Sequence, residues 1–309
     1  MKKSLLILAF ASSVALADEG MWMPQQLPDI ADELKAAGLE LDPANLTKLT
    51  EFPMAAIVSL GGCSASFISP NGLVVTNHHC VYNSIAHNST PDNDLLANGF
   101  LAANMTDEVP AAPGSRVYVT KAVDNVTAQV IDDKTAKLSG KQRIDAIETN
   151  QKQLIAQCEQ DEGHRCRVAA YYGSLEYYLI KQLEIKDVRL VHAPAEGVGK
   201  FGGDTDNWMW PRHTGDYGFL RAYVSPEGKS ADYHVDNVPY QPDHYLKLAA
   251  EGLQEGDFVM ALGYPGRTNR HRLPSEVSET FEWSYPNTVQ QFKDTLAIID
   301  RVTSTNKDA

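Results

Sequence analysis

Residues 62–80 constrain the fold more than any other part of this chain. They read GCSASFISPNGLVVTNHHC, and residues 69–72 supply a turn, because proline fixes φ and glycine can take a positive φ. The β-branched run Leu73–Thr76 is typical of a buried strand. The pattern therefore predicts a hairpin that carries His78 and His79 at the end of its second strand. An imidazole positioned in this way is the usual general base for a hydroxyl nucleophile.

Residues 1–17 have the parts of a secretory signal peptide. Two lysines precede an apolar stretch at residues 5–11, and residues 15–17 form an A-x-A cleavage site. The apolar stretch is too short to span a bilayer, and no later stretch of the sequence qualifies. We therefore expect export to the bacterial periplasm or cell surface, no transmembrane segment, and a mature chain that begins near Asp18.

Export bears on the oxidation state of the four cysteines, because disulfides form and persist outside the cytoplasm. The four cysteines are Cys63, Cys80, Cys158 and Cys166. An even number in an exported chain predicts disulfides, and sequence proximity favours pairing the first with the second and the third with the fourth. The alternative is a metal site that uses His78, His79 and the first two cysteines. Adjacent side chains on a strand point to opposite faces, so we expect no metal ion there and no other cofactor.

The net charge of −13 bears on partners. It argues against a phosphate-binding surface and a polybasic membrane patch, so we expect no nucleic-acid partner. It favours solubility and is compatible with a preference for cationic groups such as a peptide N-terminus.

Apolar periodicity indicates a mainly β chain with helical insertions. We expect helices over residues 30–39, 44–49, 135–160 and 276–302, the last of them unbroken or divided near Pro286. We expect strands over residues 53–81, 117–130, 167–180, 185–192, 217–224 and 257–263. Residues 201–213 have little periodicity and are predicted to be an ordered loop. The predicted architecture is an antiparallel β-barrel followed by the start of a helical region.

Residues 202–223 concentrate aromatic and charged side chains in and beyond the predicted loop. This density is typical of a loop that binds a ligand or is held by ion pairs. Asp216 lies where the loop gives way to an apolar strand, so its carboxylate can be buried and can orient an imidazole through the Nδ1–H. The alternative is that Asp216 caps a turn or pairs with Arg212 or Arg221.

Two other residue types in this stretch have more than one interpretation. Trp208 and Trp210 alternate and can share one face, for which core packing is the default explanation. Arg212 either binds a carboxylate ligand or holds Asp204 or Asp206. Structural and binding roles therefore both stay open for these residues.

Three motifs together resemble peptidase family S46, the bacterial dipeptidyl-peptidases 7 and 11. They are MWMPQQLP at residues 21–28, TNHHC at 76–80 and DNWMWPRHTGD at 206–216. The second motif also resembles the histidine segment of trypsin-like serine peptidases. Both resemblances place the catalytic position at His79, not at His78.

The resemblance implies a chymotrypsin-like fold and a set of roles. Residues 18–274 would form the first β-barrel half of a peptidase domain, and residues 275–309 the beginning of a truncated α-helical lid domain. His79 would be the general base and Asp216 its orienting partner. Asn207 and Trp208 would lie near the substrate N-terminus, supported by Arg212. The implied enzyme releases dipeptides from oligopeptides with a free N-terminus, and the full-length form is expected to be a homodimer.

A serine nucleophile in a G-x-S-G turn is missing from this sequence. Ser64 and Ser174 are the nearest matches, and neither has the flanking glycines. In the family this serine lies in a second barrel after the helical domain. We therefore expect the chain to be the N-terminal portion of a longer enzyme and to be inactive alone. The alternative is a secreted, non-catalytic peptide-binding module.

Overall fold

The computed structural model describes residues 21–266 and 272–306, apart from the side chains of residues 208 and 305. The predicted signal peptide, residues 1–17, lies outside the described residues. The chain divides into two compact units between Tyr264 and Pro265. The domain boundary expected after residue 274 stays a prediction.

The first unit is built on one sheet, which has eleven strands within residues 21–266. They are β1 Ile57–Ser59, β2 Ser64–Phe67, β3 Leu73–Thr76, β4 Phe100–Leu101, β5 Val109–Pro110, β6 Val117–Asn125, β7 His164–Tyr171, β8 Glu176–Ile185, β9 Asp187–Ala193, β10 Gly218–Val224 and β11 Val238–Pro239. The order is β4-β9-β10-β3-β2-β1-β6-β8-β7, with β11 beside β10 and β5 beside β9. Every described pair is antiparallel, which confirms the mainly β prediction.

Strands from distant places in this order share one core. Phe67 of β2, Val117 of β6, Leu190 of β9 and Leu220 of β10 belong to a single buried apolar cluster. Strands β8 and β9 are separated only by Lys186, although β8 pairs with β6 and β9 pairs with β10. One nearly continuous segment therefore contributes to both parts of the sheet.

Seven α-helices accompany the sheet in the described part of the first unit. They are α1 Ala31–Ala36, α2 His78–Asn88, α3 Leu95–Asn98, α4 Thr127–Val130, α5 Gly140–Cys158, α6 Glu196–Gly199 and α7 Gly203–Trp208. Short 3₁₀ turns lie at Pro24–Ile30, Pro43–Thr47, Met54–Ala56, Met105–Asp107 and Thr135–Lys137. In α5, Ile147 and Leu154 pack against a small cluster of Val126, Val130 and Tyr177, as the helical spacing predicts.

Several of the strand predictions need correction. Strand β6 ends at Asn125, and the last residues of the strand expected over 117–130 form helix α4, Thr127–Val130. Residues 257–263 form no strand, because the alternating Phe258, Met260 and Leu262 instead pack against a cluster that contains Leu27 and Leu46. The strand expected over 167–180 is two strands, β7 and β8. The residues between them form the hairpin turn, in which Tyr172 and Ser174 have φ of 50° and 72°.

The second unit is a continuous helical run in its described part. It consists of α8 Pro274–Glu279, a π-helical segment Thr280–Ser284 and α9 Tyr285–Thr305. Pro286 lies in the first turn of α9, directly after the π-helical segment. The wider π turn accommodates a residue that lacks the N–H of an ordinary helical bond, so the helix continues past the proline. Among the described helices, none has the length and apolar character needed to cross a membrane.

Candidate active site

The two adjacent histidines begin helix α2, so the prediction that they end a strand is wrong. Asn77 is the N-cap, with extended backbone at φ −77° and ψ 152°, and the helix follows at once. Successive residues of a helix are rotated by about 100° about its axis, so His78 and His79 face different surroundings.

His78 is a core residue. It is 2% exposed, and its Nε2 lies 3.1 Å from the Pro194 carbonyl oxygen. Its ring packs so closely on Gly199 that a Cβ on that glycine would lie 2.4 Å from it. Burial lowers the pKa of His78, and the hydrogen bond to the Pro194 carbonyl only partly offsets this effect. The folded chain therefore favours a neutral His78.

His79 faces a different side of the helix and contacts Asp216. Its side chain is 69% exposed, and its Nδ1 lies 2.9 Å from Asp216 Oδ2. Its backbone N–H donates to Asp216 Oδ1 at 3.1 Å. With Nδ1 donating to the carboxylate, Nε2 carries the lone pair. Within residues 21–266 and 272–306 this nitrogen makes no hydrogen bond, so it is available to accept a proton.

Strand pairing brings Asp216 to the histidine. Antiparallel pairing of β10 with β3 sets Gly218 opposite Thr76, so the residues just before β10 lie beside those just after β3. Partial burial would raise the pKa of Asp216, but hydrogen bonds from His79 and Asn77 outweigh it and the pKa is lowered. Asp216 is therefore a carboxylate at neutral pH.

The alternative arginine partners of Asp216 are placed elsewhere. Arg221 donates to Glu108 at 2.8 Å, in a pair with little exposure. Arg212 is exposed and takes part in no hydrogen bond or ion pair with any described residue. Asp216 therefore contacts the imidazole of His79 and neither of these arginines.

Sequence reasoning missed the contact that Asn77 makes. Its Nδ2 donates to Asp216 Oδ2 at 3.1 Å and lies 3.3 Å from the Asp216 carbonyl oxygen. The two residues are 139 positions apart in the chain. The available signal was an asparagine directly before the histidines, at a position where its side chain would ordinarily cap the helix.

The structure contains both expected disulfides. Cys63 pairs with Cys80, which connects the residue before β2 with the first turn of α2. Cys158 pairs with Cys166, which connects the end of α5 with β7. The first bridge therefore fixes the backbone beside His79.

The reason given against a metal site was wrong, because the residues concerned lie on a helix and not on a strand. Donor atoms of Cys63, His79 and Cys80 in fact lie within 4.8 Å of one another. The two sulfur atoms are bonded to each other, however, so neither is a thiolate ligand in this structure.

The three predicted substrate-binding residues belong to a neighbouring segment. Helix α7 includes Asn207 and ends at Trp208, so residues 201–213 are not wholly a loop as predicted. Asn207 and Arg212 are exposed, and the side chain of neither forms a hydrogen bond or ion pair with another described residue. The side chain of Trp208 lies outside the description. Arg212 does not hold Asp204, which lies 3.9 Å from Lys200.

Neither serine considered as a nucleophile contacts His79. Ser64 Oγ accepts from the Tyr264 N–H at 2.6 Å, and Ser174 lies in the β7–β8 turn. The described part of the chain thus contains a histidine–aspartate pair in which the imidazole is exposed and no described hydroxyl is bonded to its Nε2.

The chain is similar in sequence and fold to several dipeptidyl-peptidases. An Asp/Glu-specific dipeptidyl-peptidase of Shewanella putrefaciens is 48% identical over 286 residues, 93% of this chain and 39% of that protein. Dipeptidyl-peptidase 7 of Capnocytophaga gingivalis is 41% identical, over 91% of this chain and 40% of that protein. The crystal structure of Porphyromonas endodontalis DPP11 in complex with substrate matches with a TM-score of 0.81 at 32% identity, over 93% of this chain and 43% of that one.

The family follows from these matches. A sequence model of Peptidase S46 matches residues 17–309, and the chain belongs to this family. A second DPP11 structure, in complex with the dipeptide Arg-Glu, matches with a TM-score of 0.77 at 34% identity, over 86% of this chain and 39% of that one. The chain spans about two fifths of the length of the curated relatives it matches, with 39% and 40% of the two described above.

Proposed function

We propose that this chain supplies the general base and its orienting carboxylate to an exported serine-type dipeptidyl-peptidase. The observation that supports this most strongly is the His79 Nδ1 to Asp216 Oδ2 distance of 2.9 Å, in a side chain that is 69% exposed and whose Nε2 makes no hydrogen bond to a described residue. In the proposed reaction Nε2 takes the proton of a serine hydroxyl as that oxygen attacks the scissile carbonyl. Asp216 keeps the proton on Nδ1 and stabilises the imidazolium that forms.

The fold proposed for residues 18–274 is a closed, chymotrypsin-like barrel. The sheet order supports closure, because it runs from β9 through β10, β3, β2, β1 and β6 to β8, and only Lys186 separates β8 from β9. In such a barrel β8 and β9 are one bent strand that joins both ends of the sheet. The single apolar cluster shared by these strands favours the same arrangement.

The proposed nucleophilic serine lies outside these 309 residues. No G-x-S-G segment occurs in the sequence, and the relatives are more than twice as long as this chain. We expect the 309-residue chain alone to show no turnover.

The proposed substrates are oligopeptides with a free N-terminus. Asn207 has a side-chain carbonyl that can accept from an ammonium group, a Trp208 ring face attracts cations, and Arg212 is a neighbour with no ion pair among the described residues. One relative is named as an Asp/Glu-specific dipeptidyl-peptidase, so acidic residues before the scissile bond are the first specificity to test, with apolar residues as the alternative. Export to the periplasm or cell surface and a homodimeric full-length enzyme are further parts of the proposal. The signal-like residues 1–17 and the two disulfides support export.

The test is an assay of the gene product that contains these residues, with chromogenic dipeptide substrates that have a free or an acetylated N-terminus. We expect turnover of the free substrates only, and His79→Ala should lower kcat by roughly 10⁶-fold. His87→Ala is the matched control, because His87 is an exposed histidine near the other end of the same helix. Full activity in His79→Ala, or measurable turnover by the 309-residue chain that depends on His79, would contradict the proposal.

A non-catalytic peptide-binding module is the second candidate, because no described hydroxyl is bonded to His79 Nε2. It predicts peptide binding without turnover in every form of the protein. Calorimetry with one peptide in free and N-acetylated forms tests recognition of the amine. Labelling of the gene product by a fluorophosphonate, which reacts with an activated serine, distinguishes the peptidase from the binding module.

A further inference from the structure

We infer that Asn77 is a positioning residue for the proposed catalytic pair, because its amide holds the Asp216 carboxylate in the orientation that His79 requires. This inference rests on the proposed function and adds to it a residue that does not touch the reacting atoms. The observation behind the inference is that Asn77 and His79 both donate hydrogen bonds to the carboxylate of Asp216.

The Asp216 carboxylate accepts three hydrogen bonds from a segment of three residues. Oδ1 accepts from the His79 backbone N–H at 3.1 Å. Oδ2 accepts from His79 Nδ1 at 2.9 Å and from Asn77 Nδ2 at 3.1 Å. Since the donors approach both oxygens, the carboxylate cannot rotate about its Cβ–Cγ bond without losing at least one of them. The Asn77 amide is the donor that also lies close to the Asp216 backbone, 3.3 Å from the carbonyl oxygen.

The helix-capping chemistry explains why an amide is available for this role. An N-cap asparagine ordinarily accepts a hydrogen bond from a backbone N–H of the first turn. Asn77 has N-cap backbone geometry, but its side chain makes no cap hydrogen bond. The carboxylate of Asp216 instead accepts from the His79 N–H, and the positive end of the helix dipole favours a negative charge there. The side chain of Asn77 is therefore free to donate to Asp216.

This arrangement predicts different effects for two substitutions. Asn77→Ala removes the donor. Asn77→Asp keeps a good N-cap residue of the same shape but replaces the donor with a second carboxylate, which repels Asp216. If Asn77 served only to begin the helix, Asn77→Asp would be the milder change. If it positions Asp216, Asn77→Asp is the more harmful change.

The kinetic experiment uses the gene product that contains these residues. We expect kcat to fall roughly tenfold in Asn77→Ala and further in Asn77→Asp, because the loss of one hydrogen bond to a charged group costs a free energy equivalent to about a tenfold change in rate. KM should change less than about twofold. Asn104→Ala is the matched control, because Asn104 Nδ2 donates to Asp107 Oδ2 at 2.7 Å in another exposed asparagine–aspartate pair. The control should retain the parent kcat. Equal kcat in the parent and both Asn77 variants, or an effect confined to KM, would overturn the inference.

A second experiment on the 309-residue chain needs no activity. Long-range ¹H–¹⁵N spectra report which imidazole nitrogen carries the proton, and His79→Ala assigns the signals of His79. At about pH 8, where imidazole is ordinarily neutral, we expect the Nδ1–H tautomer in the parent chain and a mixture of tautomers in both Asn77 variants. Circular dichroism of each variant establishes that it is folded. An unchanged tautomer in folded Asn77→Ala and Asn77→Asp would overturn the inference.

The two experiments separate the inference from the proposed function. Loss of activity in His79→Ala with no effect of the Asn77 substitutions supports the function and contradicts the positioning role. Full activity in His79→Ala contradicts the function, and the tautomer measurement then decides the role of Asn77 by itself.

Discussion

The first turn of α2 has a buried side and a solvent side, and each carries one histidine. His78 is 2% exposed, rests on Gly199 and contacts a backbone carbonyl. His79, the next residue, has a side chain that is 69% exposed and contacts a carboxylate. The same residue type is thus a neutral packing element on one side and a candidate base on the other. Helical rotation and neighbouring groups assign these roles, since neither follows from the residue type alone.

The contrast between the two histidines requires that the proposed activity of His79 depends on the Asp216 carboxylate, and testing this has the largest expected effect. We expect Asp216→Asn to lower kcat of the gene product by roughly 10⁴-fold, because an amide no longer fixes the proton on Nδ1 of His79. The measurement is steady-state turnover of a dipeptide substrate.

Asp236→Asn is the matched control for this prediction. Asp236 Oδ2 lies 3.5 Å from His234 Nδ1 in another exposed histidine–aspartate pair, so the same substitution there should leave kcat unchanged. Similar losses in both variants would indicate a general effect of removing a carboxylate, and no loss in either would contradict the role of Asp216.

The buried side of the turn should dominate stability. We expect His78→Ala to lower the free energy of unfolding by about 3 kcal/mol, because it leaves a cavity and an unpaired Pro194 carbonyl. His79→Ala should cost less than about 1 kcal/mol, since its side chain is mostly exposed and so is its contact with Asp216. Urea unfolding of both variants measures the difference. Equal losses would show that the two sides do not differ in packing.

The sequence was sufficient for the local features of this turn and insufficient for its long-range ones. Turn residues and β-branching predicted the hairpin of β2 and β3, and proximity predicted the Cys63–Cys80 pair. The contact of Asp216 with His79 was expected from the character of each segment and from family resemblance. The start of helix α2 was missed because the strand prediction was extended to Val81, although Val81 and Ile85 have the i, i+4 spacing of a buried helix face.

Other features depend on contacts that no local pattern contains. Asn77 reaches Asp216 only because β3 and β10 pair in the register that sets Thr76 opposite Gly218. The alternation in residues 257–263 was interpreted as a strand because one-sided burial produces the same period as a sheet. The apolar side chains of this segment pack on the cluster that contains Leu27 and Leu46. The seven residues themselves do not show that this cluster, and not a neighbouring strand, is what they contact.

The smallest expected effect is a difference in pH dependence between the two sides of the turn. Burial lowers the pKa of His78 below its ordinary value of 6.5, with the Pro194 hydrogen bond and the charges of Asp216 and Glu196 acting against it. The unfolded chain therefore binds a proton at a higher pH than the folded chain does. As the pH falls through 6.5 towards the lowered pKa, the unfolded state is favoured and stability declines, by at most about 1.4 kcal/mol per pH unit from this one group.

Urea unfolding between about pH 7.5 and pH 5 measures the slope of the free energy of unfolding against pH. His78→Gln keeps a side-chain donor for the Pro194 carbonyl but does not titrate, so the part of the slope that His78 causes should vanish. Asp216 does not obscure the result. Its pKa is lowered, so the stability it contributes is lost only as the pH falls below the ordinary aspartate range near about pH 4. His79→Gln serves as the comparison from the solvent side. If the slope persists in His78→Gln and vanishes in His79→Gln, the buried and exposed sides of the turn have been assigned the wrong way round.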